Sequence, residues 1–188
     1  MGVEMMDAYV LAGGSSRRMG VDKLFLQIDG KSLLERTIDV CERCFSRVKL
    51  VARESARLAS LNHEVILDSP MARGPMAGVI AALEDCGQDY CFITAADLPD
   101  LSVEIIESLV SQYGQQQYFG FMEPNGLQPL CGIYHRSSLK LLYHHARLRE
   151  FSVAVAVSNL DHNYIALSAS RWRNINCPED LTVGEPDG

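Results

Sequence analysis

The sequence predicts an α/β protein with a three-layer, doubly wound, mostly parallel sheet, and three observations carry that prediction. Short apolar runs alternate with stretches of helical periodicity from Ala8 to Tyr113, the pattern of strand–helix–strand units. The 188 residues match one domain of this class, and 47% hydrophobic content supplies a substantial core. Each of the first four apolar runs also empties into a loop of small or charged residues. In open parallel sheets that carboxyl edge is where ligands bind. Residues 1–188 are therefore expected to form a single domain, without internal repeat, low-complexity tract or linker.

The elements follow in order. Residues 8–11 read as a buried strand and are followed by a long loop. A helix is expected over 32–45, where Ser32 and Glu35 stand at capping-box spacing and Leu34, Ile38, Cys41 and Phe45 share one face. A second strand over 48–52 ends at Arg53-Glu54-Ser55 and leads into a short helix to about Ser60. A third strand over 64–67 ends at Asp68, before a Pro- and Gly-containing loop and a helix over 76–86. The fourth strand, 90–94, ends in Ala95-Ala96-Asp97-Leu98-Pro99, and Ser102 caps a helix to about Tyr113. The second half is less regular. Strands are expected over 118–122 and 128–134, joined by a turn at Pro124-Asn125-Gly126. A helix over 136–147 has Leu139, Leu142 and Tyr143 as its apolar face and carries a His144-His145 pair read as surface. Residues 151–157 fit strand or helix, 163–167 a strand, and Pro178 opens a last short helix.

Composition narrows the function. The net charge of −7 argues against a basic nucleic-acid-binding surface. No apolar run reaches the ~18 residues of a transmembrane helix, and the first seven residues lack the cationic-then-apolar order of a signal peptide. Met1-Gly2 is followed by Met at position 6, which breaks the myristoylation pattern. A cytoplasmic protein is expected, with Cys41, Cys44, Cys86, Cys91, Cys131 and Cys177 as thiols. Cys41 and Cys44 have metal-ligand spacing, but the helical pattern makes Cys41 a small core residue.

The functional signal is concentrated between Leu11 and Lys23. Gly13 and Gly14 let the backbone approach a ligand closely, and consecutive amides in such a loop form an anion nest. Arg17, Arg18, Lys23 and Lys31 outnumber Asp22 and Asp29 between residues 12 and 31, a local positive site on an acidic protein. Polyphosphate is the simplest ligand. No Gly has the sequel of a Walker loop, and G-x-G-x-x-G is absent. Taken alone, Lys23 and Arg18 read either as phosphate partners or as solvated surface cations. Asp97 reads either as a turn aspartate or as a carboxylate facing a cleft, and magnesium takes one or two carboxylates plus phosphate oxygens. Asp68 reads either as a turn residue or as an acceptor for the donors of a guanine or ribose.

The stretch Leu11-Ala12-Gly13-Gly14-Ser15-Ser16-Arg17-Arg18-Met19-Gly20-Val21-Asp22-Lys23 resembles the signature of the molybdenum cofactor (molybdopterin) guanylyltransferases, a branch of the Rossmann-like nucleotidyltransferases. Gly74-Pro75-Met76-Ala77-Gly78 is similar to that family's Gly-Pro-Leu-Ala-Gly, and Asn174-Ile175-Asn176-Cys177-Pro178-Glu179-Asp180 to its Asn-x-Asn-x-Pro-Glu ending. The likeness runs from Leu11 to Leu181 and is thin between Gln112 and Ser170. It implies transfer of GMP from GTP to molybdopterin or molybdenum cofactor, with pyrophosphate released and no protein nucleophile. It implies a nucleotide site of Leu11, Ala12, Gly13, Gly14, Lys23, Asp68, Gly78 and Asp97, with Mg²⁺ at Asp97. Asp97, Lys23 and Arg18 are then the catalytic candidates, and Asn174 and Asn176 complete the metal shell or meet the second substrate. Gln128-Pro129-Leu130 and Arg147 or Arg149 are candidates for the pterin contact. Arg53 departs from the family's usual Asn, and a guanidinium cannot accept a hydrogen bond, so that role does not pass to it. A monomer with transient contacts to cofactor-biosynthesis proteins or molybdoenzymes is expected. The rival readings are a relative using CTP or a sugar 1-phosphate, and a non-catalytic nucleotide-binding module.

Overall fold

The computed structural model describes residues 6–13, 23–25, 27–28, 30–123 and 126–166. Nine strands and five α-helices are found there: β1 (Asp7–Leu11), β2 (Gln27–Ile28), β3 (Lys31–Ser32), α1 (Leu33–Cys44), β4 (Arg47–Ala52), β5 (Val65–Leu67), α2 (Pro75–Asp85), β6 (Tyr90–Ala95), α3 (Val103–Gln112), β7 (Tyr118–Glu123), β8 (Gly126–His135), α4 (Leu139–Arg147), α5 (Val153–Ser158) and β9 (His162–Ala166).

Seven strands form one sheet in the order β5-β4-β1-β6-β8-β7-β9. β5, β4, β1 and β6 are mutually parallel, β8 is antiparallel to both β6 and β7, and β9 is parallel to β7. One reversed strand among seven matches the mostly parallel sheet expected. β2 and β3 make a separate two-residue antiparallel pair after the first loop.

The residues of the central strand β1 alternate between two buried faces. Ala8, Val10 and Ala12 pack with Leu34, Ile38 and Cys41 of α1 and Ile106 and Leu109 of α3. Tyr9 and Leu11 pack with Met76, Val79, Ile80 and Leu83 of α2, Leu142 of α4, and Val153, Ala156 and Val157 of α5. The result is three layers, with α1 and α3 on one face and α2, α4 and α5 on the other. α1 starts where its capping box predicts. Ser32 Oγ accepts from the Glu35 amide at 3.2 Å, and Glu35 Oε2 accepts from the Ser32 amide at 2.8 Å. Ser102 caps α3 through the amide of Ile105. Cys41 is fully buried in the core, as its helical position implies.

Three details differ from the sequence reading, and a fourth is decided between its two open alternatives. The short helix after β4 is a 3₁₀ helix, Ala56–Leu61. The expected helix over 136–147 is a 3₁₀ turn, Arg136–Ser138, followed by α4. Residues 153–158 choose helix over strand because Ser152 accepts from the Val155 amide and Val153, Ala156 and Val157 fall on one buried face. His145 is 9% exposed rather than on the surface, because α4 turns it inward beside Ala146. The turn residues Pro124 and Asn125 and the final motif lie outside the described residues.

Candidate active site

The sheet order places the topological switch at β1. The chain leaves β1 toward β4 and β5 on one side and returns to β6 on the other. Helices on opposite faces diverge there and open a crevice at the carboxyl ends of the strands. A cavity of about 720 Å³ occupies that position, and Leu11, Ala12, Gly13, Asp68, Gly78 and Asp97 all line it. These are the nucleotide-site candidates within the described residues whose side chains the structure places. Lys23 opens a 3₁₀ turn, Lys23–Phe25, and its neighbour Leu24 reaches the cavity wall, so the Lys23 backbone stands at the rim. Its side chain lies outside the described residues, as do Gly14, Arg17, Arg18, Asn174 and Asn176.

The register explains the convergence. β1 pairs with β4 as Leu11↔Val51, β4 with β5 as Ala52↔Leu67, and β1 with β6 as Leu11↔Ala95. The ladder runs on past the strand ends: the Ala12 amide donates to Val51 O at 2.8 Å, Asp68 to Ala52 O at 2.9 Å, and Ala96 to Leu11 O at 3.2 Å. Continuing each pairing by one or two residues sets Asp68, Arg53, Gly13 and Asp97 in one row across four adjacent strand ends. Strands stand ~4.8 Å apart, so the row spans about 14 Å, on the scale of a nucleoside triphosphate laid across the rim.

Small residues hold the row open. A Cβ on Gly13 would sit 3.8 Å from Asp68 Oδ2, and one on Gly78 would sit 3.6 Å from Asp68 Oδ1 and 3.1 Å from Leu11 Cδ2. The Asp68 carboxylate therefore lies between two glycines, with α2 packed closely on β1. Gly74 takes φ 62° and ψ −153° at the N-cap of α2, a region open essentially to glycine alone, and Pro75 then starts the helix. This bend carries the chain from Asp68 around the cavity and back, so that Gly74, Pro75 and Gly78 all face it.

The electrostatics are mixed. Burial pushes the Asp68 carboxyl above its ordinary value, and the positive charge of Arg53 opposes that rise. Arg53, Glu54 and Arg57 form the wall after β4. Arg57 lies over the ring of Phe25, 6.0 Å from its centroid, linking this wall to the segment that closes the first loop. On the opposite side β8 runs downward into the sheet. Thr94↔Cys131 pairing brings Leu130 level with Ala95, and Leu130 lines the cavity. Of the pterin-contact candidates, Leu130 lines the cavity, while Arg147, the last residue of α4, and Arg149 just after it are exposed. The sequence reading missed Arg57 and Glu54 as parts of the wall, while Gly74 and Leu130 belong to segments it had singled out. Glu54 follows a strand end and could have been found by the rule that found Asp68, whereas Arg57 sits inside the 3₁₀ helix Ala56–Leu61.

A switch-point cavity with a glycine floor and strand-end carboxylates is the arrangement of the Rossmann-like nucleotide-binding α/β proteins. Comparison with known proteins narrows this. The profile of the MobA-like NTP transferase domain matches residues 8–167, and the chain belongs to that family. It is 35% identical to a probable molybdenum cofactor guanylyltransferase of Thermococcus kodakarensis, across 92% of this chain and 90% of the relative. It is 33% identical to one from Pyrococcus furiosus, across 94% and 95% respectively. Molybdopterin-guanine dinucleotide biosynthesis protein A of Archaeoglobus fulgidus superposes with a TM-score of 0.79 at 26% identity, covering 94% of this chain and 95% of that one.

Proposed function

We propose that this chain is a molybdenum cofactor guanylyltransferase: it transfers GMP from GTP to molybdopterin or molybdenum cofactor, releasing pyrophosphate and forming molybdopterin guanine dinucleotide. The observation that carries the reading is the meeting of Leu11, Ala12, Gly13, Asp68, Gly78 and Asp97 on one switch-point cavity. The names of the relatives point to the same chemistry.

The acceptor's own phosphate oxygen attacks the α-phosphorus of GTP, and the bond to the β-phosphate oxygen breaks as pyrophosphate leaves. The chain's residues position the reactants and balance charge. Asp68 accepts from the guanine, and Gly13 and Gly78 leave room for the base beside it. The amides of the first loop, with Lys23 and Arg18, hold the triphosphate. Asp97, at the end of the row, is the carboxylate suited to a divalent cation. Magnesium uses one or two carboxylates and fills its shell from phosphate and water. When bound, Mg²⁺ supplies charge neutralisation at the α-phosphate. Asn174 and Asn176 are assigned to the metal shell or the second substrate. The protein acts as a single unit over residues 1–188, as a cytoplasmic monomer with transient contacts to cofactor-biosynthesis proteins or molybdoenzymes. Among the described residues no helix is long and apolar enough to cross a membrane.

The test is pyrophosphate release from GTP, CTP, UTP or ATP with Mg²⁺ and purified molybdopterin or molybdenum cofactor. Release with GTP alone is expected. Preference for CTP would move the chain to a different branch of the superfamily, and no release with any nucleotide would make it a binding module.

A further inference from the structure

Arg53 stands where the row of strand ends needs an explanation. It is an exposed cation on the cavity wall, in register beside Asp68 on the neighbouring strand. Residues of this parity on β4 and β5, Val51 and Ile66, both pack on the α2 face. Arg53 and Asp68 therefore project on the same face, the one from which Gly78 lines the cavity. The second cation of this wall, Arg57, is engaged with the Phe25 ring. A guanidinium offers only donors and an ionised carboxylate only acceptors. Side by side, ~4.8 Å apart at the backbone, they match a base that presents two acceptors next to two donors.

We propose that Arg53 is a base-reading residue of this cleft: its guanidinium donates to O6 and N7 of guanine while Asp68 accepts from N1–H and the 2-amino group of the same base. The inference rests on the GTP reading above and goes past it by giving Arg53 a role that the family resemblance does not carry. Guanine pairs with Arg through O6 and N7 in the geometry known from nucleic-acid readout. Adenine keeps N7 but turns a 6-amino donor toward Arg53 where guanine has O6, and it offers Asp68 an unprotonated N1 and no 2-amino group. The pair thus selects the base by what each side chain cannot do.

The test is equilibrium binding, by displacement of a fluorescent GTP analogue in Mg²⁺, of GTP, 7-deaza-GTP and ITP to the wild-type protein and to Arg53→Met. 7-Deaza-GTP lacks N7 and ITP lacks the 2-amino group, so each analogue probes one of the two side chains. The wild type is expected to bind 7-deaza-GTP about tenfold more weakly than GTP. Arg53→Met should weaken GTP by a similar factor and bind GTP and 7-deaza-GTP equally. Its discrimination against ITP, which belongs to Asp68, should persist. Equal wild-type affinity for GTP and 7-deaza-GTP would overturn the role of Arg53 while leaving guanylyl transfer standing. Failure of GTP to bind the wild type at all would instead remove the function on which the inference rests. Arg53 is exposed, so loss of fold does not confuse the comparison.

Discussion

At the N-terminal ends of β1 and β4 the charges answer one another. Arg47 donates from two guanidinium nitrogens to the buried Asp7, both at 2.9 Å. On the α2 face, Tyr9 and Lys49 each donate to Asp85 Oδ2 at 2.7 Å, and Lys49 also pairs with Glu64 at 3.1 Å. At the C-terminal ends of the same strands and of the adjacent β5, Gly13, Arg53 and Asp68 line a cavity instead. The two aspartates show the difference. Burial acts to raise the Asp85 carboxyl, but the bonds from Lys49 and Tyr9 outweigh it and hold the group below its ordinary value. Burial raises Asp68, and Arg53 only opposes it. One end of the sheet is satisfied from within. The other keeps an acceptor under desolvation, which is how sites for a ligand are recognised.

The contrast can be broken most severely at Asp97. Asp97→Ala should lower guanylyl transfer by ~10²-fold or more, the scale of removing one electrostatic partner from a transition state, with the thermal midpoint little changed. Near-normal turnover would remove the residue from the chemistry. Gly78→Val comes next. Its side chain would collide with Leu11 and fill the space beside Asp68, and GTP affinity should fall by well over tenfold in a titration, while CD shows the helices intact.

Asp68→Asn tests the raised carboxyl. An acid whose folded-state pKa is raised carries a cost to stability when ionised, present above that pKa and relieved as pH falls through it. At pH 7 the variant should therefore hold or raise its midpoint while binding GTP about tenfold more weakly, since an amide accepts at one atom only. For the same reason wild-type GTP binding should weaken on the acid side at a higher pH than an unperturbed aspartate would set, and Arg53→Met should move that limb higher still. At the satisfied end, Tyr9→Phe should cost about 1 kcal/mol, a midpoint drop of roughly 3 °C, and leave the GTP dissociation constant within twofold. Asp85 works with the opposite sign: its contribution is present above the unfolded-state pKa and is lost as pH falls through the depressed one.

Much of this architecture is legible in the amino-acid order. Apolar runs mark β1, β4, β5 and β6, and caps mark α1 and α3. The strand-end rule gathers Gly13, Asp68 and Asp97 because parallel strands present their carboxyl ends on one rim. What stays hidden has physical reasons. A period of two marks a strand without giving its direction, so the reversal of β8 and its insertion between β6 and β7 are not written in the pattern. Val153-Ala154-Val155-Ala156-Val157 alternates like a strand, and a single capping serine with packing on the α2 face decides for helix. Gln27–Ile28 and Lys31–Ser32 are too short to announce a pairing. His145 is buried by its place on α4, although its neighbour His144 is exposed. Arg53 cannot accept a bond, which hides its use along the chain. Only the register with Asp68 sets its donors beside an acceptor-only carboxylate.

The reversal of β8 has a bearing on how the molecule is made. During synthesis β5, β4, β1 and β6 emerge first, with Cys91, Phe92 and Ile93 along a strand whose outer edge has no neighbour until β8 arrives more than thirty residues later. Such an edge invites pairing with another chain. A polypeptide cut after α3 would thus hold most of the cleft's floor yet be prone to self-association, and the late hairpin serves the early half as a seal.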